Sequence, residues 1–232
     1  IAQVAGVDLD SPAPGARRRP TAAAALRLGL ARFDELLAFR LPVDALIVTD
    51  DGQIGPRTVT DWLGVPADRL WLWRNGVDRD RFAAAPPRDQ ARAELRIASD
   101  RPVVLWVSQL IDWKQPEWLL DALPGVLTRC PDALFVIVGD GAQRAVLEAR
   151  AAALGVAASV RFEGFVPLAR VPLFYRAADV FTALYRRANV SNTLLEAMVA
   201  GCAVVTLDNG RTREVVRHED TGLLVEQDRP DL

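Results

Sequence analysis

The chain has 232 residues, of which 50% are hydrophobic and 25% charged, with 28 Lys+Arg against 30 Asp+Glu for a formal net charge of -2. That is the composition of a folded globular protein with core enough for one large or two small domains, so global disorder is excluded. The near-neutral balance gives no electrostatic footprint for a nucleic-acid backbone, and Arg17-Arg18-Arg19 is too short to change this.

In chain order, a helix is expected over 21–40, and it is followed by short β-rich runs at 44–49 and 70–73. The cluster Ala83-Ala84-Ala85-Pro86-Pro87 then marks a boundary, with a polar helix at 88–96 beyond it. From there β-rich runs at 103–107, 134–138, 159–162, 179–182, 203–206 and 222–225, most of them continuous apolar runs, alternate with helical spacing at 115–127, 142–154, 168–176 and 192–200. Continuous apolar strands suit a parallel sheet covered on both faces. The alternation predicts an α/β fold with a doubly wound, Rossmann-like parallel sheet. The part before the boundary is too small to close a sheet of its own, so the expected division is 1–87, an incomplete first domain, and 88–232. A chain that opens on Ile1 and stops at Asp231-Leu232 just after an expected strand reads as a fragment at both ends.

No apolar run reaches the roughly 18 residues that span a bilayer, because Arg27 interrupts 21–30. Cys130 and Cys202 have no metal-ligand spacing and lie among apolar residues, which reads as packing in a reducing compartment. A cytoplasmic location is the resulting expectation. His218, the single histidine, sits in the charged stretch 213–220, and neither a Ser-His-Asp arrangement nor a metal cluster can be built around it.

Ligands of open α/β sheets collect where strands end and helices begin, which selects 108–114, 139–141, 164–166 and 191–193. Glu196 stands out because Leu194, Leu195, Ala197, Met198, Val199 and Ala200 surround it, and a buried carboxylate needs hydrogen-bonding partners. A vicinal diol such as a ribose would supply two donors. A capping box, Thr193-x-x-Glu196, would satisfy the carboxylate locally, and both readings stay open. Lys114, just before the helix-starting Pro116, places a cation beside a positive helix end, which an anion bound there would relieve; a solvated loop lysine is the alternative. Gly139-Asp140-Gly141 begins like a dinucleotide fingerprint but lacks the third glycine, so it reads as a tight βα turn, with or without room for a ligand.

Read in order, the segments resemble the C-terminal domain of the family 4 (group 1) retaining glycosyltransferases of GT-B fold. The resemblance rests on Asn75-Gly76-Val77-Asp78 with Phe82, Val107-Ser108-Gln109-Leu110 with Trp113-Lys114, Val138-Gly139-Asp140-Gly141 and Val160-Arg161-Phe162-Glu163-Gly164. It continues through Ala178-Asp179-Val180-Phe181, Leu194-Leu195-Glu196-Ala197-Met198 with Gly201, and Thr221-Gly222-Leu223-Leu224-Val225. On this resemblance 1–87 is the end of an acceptor-side N-terminal domain with its linker, and 88–232 is a donor-binding domain cut short at its C-terminus.

The resemblance implies transfer of a hexose from a UDP-, GDP- or ADP-sugar to a glycan, lipid-linked or small-molecule acceptor with retention, without a metal. Lys114 would hold the diphosphate and Glu196 the ribose. Gln109, Gly139, Gly141, the backbone at Phe165 and Val166, and Ser191, Asn192, Thr193 and Leu194 would complete the donor site. Two positions depart from the pattern: Ala188 stands where the first glutamate of the Glu-x7-Glu motif belongs, and Gln109 where an arginine is usual. Both fit a subfamily variant, and both also fit a degenerate, non-catalytic donor-binding module; a sugar-nucleotide epimerase of the same fold is a further rival. Peripheral attachment to the inner face of the cell membrane through upstream chain stays open.

Overall fold

The computed structural model describes residues 44–50, 60, 65–186 and 190–226, so the expected helix at 21–40 and Ala188 lie outside the described residues. The chain divides into two compact units, one of residues 1–50 and 54–74, the other of 51–53 and 75–232. In the first, β1 (Leu46–Asp50) and β2 (Leu70–Arg74) pair in parallel, with Ile47 opposite Trp71 and Thr49 opposite Trp73.

In the second unit, two short helices, α1 (Arg79–Ala83) and α2 (Arg88–Glu94), lead into the first strand, β3 (Val103–Val107). There follow α3 (Pro116–Arg129), β4 (Leu134–Val138), α4 (Arg144–Ala153), β5 (Val160–Gly164) and α5 (Val171–Ala177). The unit continues with β6 (Val180–Ala183), α6 (Asn192–Ala200), β7 (Ala203–Leu207) and β8 (Leu223–Val225). The six strands lie in the order β5-β4-β3-β6-β7-β8, every pairing parallel. This is the doubly wound order, in which successive crossovers run outward in both directions from a central pair. All five residues of β4 are buried, as strands covered on both faces require.

The central pair, β3 and β6, is in register only at Val104–Val180 and Leu105–Phe181, whereas β3 and β4 pair along all five residues of each strand. Toward their carboxyl ends β3 and β6 therefore part, and the crevice of the fold opens between Val107 and Ala183. Two helix ends are set by their caps. Ser191 caps α6, its Oγ accepting from Leu194 N at 3.2 Å, and Gly201 ends it with φ 85°, a left-handed conformation suited to glycine. Asp78 caps α1 in the same way through Arg81 N at 3.2 Å. The sequence patterns do not foretell α1, which is too short to show a periodicity.

The boundary between units falls between Arg74 and Asn75, upstream of the Ala83–Pro87 cluster. Phe82, 1% exposed, belongs to the core of the second unit, and Asn75 Nδ2 donates to Val190 O at 2.8 Å.

At the opposite end of the sheet from the crevice, Arg92 of α2 is 1% exposed. Its Nε donates to Ala177 O at 3.0 Å, and its Nη1 to Ala98, Ser99 and Arg101 carbonyls at 3.0, 2.7 and 2.8 Å. Its Nη2 pairs with Asp179 Oδ2 at 2.8 Å, and the same oxygen accepts from Val103 N at 2.8 Å. One side chain thus ties α2, the lead into β3 and the lead into β6 together. Arg92→Met would leave these acceptors without their donor, and a loss of at least about 3 kcal/mol is expected in urea unfolding.

Asp179 also makes an acid-sensitive contribution. Its partial burial works to raise the pKa, but the Val103 N–H and the charges of Arg88 and Arg92 outweigh it and hold the carboxyl below its ordinary value. A carboxyl depressed by folding adds stability that is complete above its unfolded pKa, about 3.9, and is lost as pH falls through the lower folded value. Asp179→Asn is therefore expected to lower the neutral-pH stability and to flatten the fall in stability below about pH 4. A variant whose stability drops as steeply with acid as the parent's would show that Asp179 is not the titrating group.

Candidate functional site at the sheet crevice

The parting of β3 and β6 leaves Val107 O without a ladder donor from β6, and Tyr185, just past β6, supplies one: its hydroxyl donates to Val107 O at 3.0 Å. The Tyr185 ring is 0% exposed and meets Trp106 edge-on, with centroids 6.1 Å apart. Burial pushes its hydroxyl up to about 12, so it is a proton donor at any physiological pH. Tyr185 plugs the fork and forms its floor.

On that floor sits the ammonium of Lys114, 4.0 Å from the Tyr185 ring centroid and 4.3 Å from that of Trp113. Lys114 ends a 3-10 turn, Asp112–Lys114, after which Gln115 takes the left-handed conformation (φ 50°) and Pro116 opens α3. The positive helix end that makes a lysine unfavourable here is thus offset by two aromatic faces, in addition to any bound anion.

The second wall is the start of α6. Ser191 Oγ lies 3.0 Å from Thr193 Oγ1, which lies 3.4 Å from the Tyr185 hydroxyl. The Leu194 amide is spent on the Ser191 cap. Asn192 and Thr193, the first two helical positions, have no carbonyl one turn back within the helix to receive their N–H groups, so they are the donors this helix end offers an anion.

Behind this wall is Glu196, 8% exposed. Its Oε1 pairs with Arg81 Nη2, and its Oε2 accepts from the Tyr175 hydroxyl at 3.2 Å. The same hydroxyl lies 3.1 Å from Thr193 O, so one proton is shared between two acceptors and links the carboxylate to the helix start. Burial and then the Glu196 charge push the Tyr175 hydroxyl well above its usual range. The capping-box alternative does not hold, because Ser191 rather than Thr193 caps α6 and Glu196 is held by residues of other helices.

Of the residues singled out in the sequence, Lys114 and Thr193 meet at Tyr185, Ser191, Asn192 and Leu194 belong to the same helix start as Thr193, and Glu196 follows on that helix against Tyr175. Gln109 is exposed on the neighbouring loop. Gly139 and Gly141 serve that loop: a Cβ on Gly139 (φ 129°) would stand 1.8 Å from Ser108 O, and one on Gly141 2.4 Å from Leu110 O. The room the glycines make is filled by the chain itself, with Leu110 N donating to Asp140 O at 3.0 Å and Gln143 N to Leu110 O at 3.0 Å. Phe165, 79% exposed, and Val166 lie farther along the sheet top, on a cavity of about 430 Å³ that Glu94, Arg96, Arg161 and Arg170 also line. That lining includes neither Lys114 nor Glu196.

Sequence reasoning missed Arg81, Tyr175 and Tyr185. Tyr185 carries one usable signal, a polar-tipped ring just past the carboxyl end of a strand. Cys202 is a packing residue as expected: its thiol donates to Tyr175 O at 3.2 Å, and burial pushes it up to about 12. His218 is exposed and accepts from Leu224 N at 3.0 Å through Nδ1. Among the described residues no group of three or more His, Cys, Asp or Glu is placed to hold a metal, and no helix is long and apolar enough to cross a membrane.

A parallel sheet wound outward in both directions from a central pair, with its crevice between β3 and β6, defines an α/β domain of Rossmann-like topology. The chain belongs to the family of glycosyl transferases group 1, whose pattern matches residues 87–232. It is 36% identical over 171 residues to a GDP-mannose-dependent alpha-(1-6)-phosphatidylinositol monomannoside mannosyltransferase of Mycobacterium tuberculosis, covering 69% of this chain and 44% of that protein. It is 35% identical over 169 residues to a D-inositol 3-phosphate glycosyltransferase of Nocardia farcinica, covering 65% of this chain and 37% of the relative. The chain thus spans less than half the length of these relatives. The fold is that of the GT-B glycosyltransferases: Anabaena Alr3699/HepE, solved in complex with UDP and glucose, superposes with a TM-score of 0.70 at 25% identity, over 86% of this chain and 54% of that one.

Tyr185→Phe keeps the ring beneath Lys114 but leaves Val107 O without its donor. A loss of about 1–2 kcal/mol is expected in denaturant unfolding, against roughly 3–5 kcal/mol for Tyr185→Ala, which also empties the fork. A Phe variant as stable as the parent would show that the hydroxyl contributes nothing there.

Proposed function

We propose that the protein to which this chain belongs transfers a hexose from a nucleoside-diphosphate sugar to an acceptor hydroxyl with retention at the anomeric carbon, and that the described sheet holds the donor. The observation that carries this reading is Tyr185, whose ring the Lys114 ammonium rests on at 4.0 Å and whose hydroxyl lies 3.4 Å from Thr193 Oγ1 at the start of α6, the helix that carries the buried Glu196.

Breaking the bond between the anomeric carbon and the diphosphate oxygen leaves negative charge on the diphosphate. Lys114 and the helix-end amides stabilise that charge from fixed positions, with Gln109 adding neutral hydrogen bonds from the loop opposite. Glu196 takes the two ribose hydroxyls and so sets where the diphosphate lies. The base lies toward Phe165 and Val166. The names of the relatives support this class of donor, since one is GDP-mannose-dependent and one neighbour was solved with UDP and glucose. The acceptor is a glycan, a lipid-linked molecule or a small molecule, met by the acceptor-side part of the whole protein.

Titration calorimetry with UDP, GDP and ADP tests the donor assignment. One of the three is expected to bind measurably; Glu196→Ala should weaken it on the order of 10–100-fold, and Lys114→Ala roughly 10-fold while leaving the bare nucleoside unaffected. Absence of binding by all three, or binding indifferent to both substitutions, would overturn the assignment. A full-length protein that binds donor yet transfers to no acceptor would instead fit a binding module.

A further inference from the structure

Glu196 is held by two residues that the donor-binding reading does not use. The first is Arg81, carried on α1 and positioned three times over. Asp78 caps the turn through Arg81 N, Phe82 beside it is buried against the Tyr175 ring at 5.7 Å, and Arg176 Nη2 grips Phe82 O at 3.0 Å. The Arg81 guanidinium lies 5.2 Å from the Phe82 ring centroid. Its side chain and that of Glu196 are only 17% and 11% exposed. The Arg81 Nε is buried without a partner among the described residues, so the guanidinium engages the carboxylate from one end only. The second residue, Tyr175, divides its single proton between Glu196 and Thr193 and is the weaker holder.

A carboxylate offers about four lone-pair sites, two on each oxygen. Arg81 occupies one on Oε1 and Tyr175 one on Oε2, so each oxygen keeps one site, enough for one hydroxyl apiece. Without Arg81 only the Tyr175 proton, shared with Thr193 O, would oppose rotation of the carboxylate. Rotation by a quarter turn about the terminal bond would present one oxygen edge where a diol needs two.

We propose that Arg81 is a positioning residue for donor binding: by pairing with Glu196 Oε1 it fixes the carboxylate so that both oxygens accept from the vicinal hydroxyls of the donor ribose. This rests on the assignment of Glu196 to the ribose, and the two claims separate experimentally.

The readout is a ratio of dissociation constants: the nucleoside diphosphate that binds, among UDP, GDP and ADP, against its 2′,3′-dideoxy counterpart, measured on the whole chain. In the parent the ribo form is expected to bind on the order of 10–100-fold more tightly, as two hydrogen bonds to a charged acceptor allow. Arg81→Met is expected to cut this ratio below about 5-fold while leaving the dideoxy affinity within about 2-fold of the parent, a selectivity that general loosening of the fold would not produce. Arg81→Lys, which restores a cation without the planar fork, is expected to recover part of the ratio. A ratio lost in Glu196→Ala but intact in Arg81→Met overturns the role of Arg81 alone. A ratio intact in Glu196→Ala overturns the ribose assignment and this proposal with it. Where Arg81→Met yields no folded protein, Arg81→Lys decides: a ratio reduced at least 3-fold supports the proposal, and a parental ratio overturns it.

Discussion

The site depends on one constraint of sheet topology. In a strand order that runs outward from its centre, the two central strands are each followed by a crossover that leaves in the opposite direction, so no loop covers the space between their carboxyl ends. Here β3 and β6 stop pairing after Leu105 and Phe181, and the separation makes a crevice with a carbonyl to satisfy and an aromatic-sized gap to fill. Tyr185 meets both needs. Because it is rigid and fully buried, it is also a fixed surface on which a flexible lysine can be held and against which the Thr193 hydroxyl can rest. The polar groups of the site are therefore organised from the core outward.

At the other end of the same two strands the problem is reversed, since their starts must be kept together. Arg92 and Asp179 do this with an ion pair buried on the arginine side, which Arg88 joins at Asp179 Oδ1 and whose other hydrogen bonds go to backbone. An ion pair in such a place is no richer a source of stability than packed hydrocarbon would be, but it is directional. It fixes where β3 and β6 begin, and hence where they diverge.

The sheet was legible because most of its strands are short continuous apolar runs, which a parallel sheet covered on both faces demands; the edge strand β5, Val160-Arg161-Phe162-Glu163-Gly164, is the exception, and all six strands lie at the expected β-rich segments. The chemistry was less legible. Glu196 could be identified as important from its apolar neighbours alone, but its partners lie 115 residues away in Arg81 and 21 residues away in Tyr175, distances at which no local pattern operates. The capping-box reading failed for a related reason. Thr193 and Glu196 have the right spacing, yet Ser191, two residues earlier, takes the cap. Gly139 and Gly141 marked a tight βα turn, and only the fold reveals that Ser108, Leu110 and their neighbours fill the space beside it.

The segment Asn75–Ala83 lies before the linker-like run of alanines and prolines and outside the 87–232 region shared with the family, yet its contacts are those of the second unit. This governs where the chain can be cut. A domain excised at the prolines would retain Glu196 but discard the guanidinium that neutralises it, together with the Phe82 ring that closes the core beneath Tyr175. One begun at Asn75 would take both along, so the unit that folds around Glu196 starts upstream of the alanine and proline run.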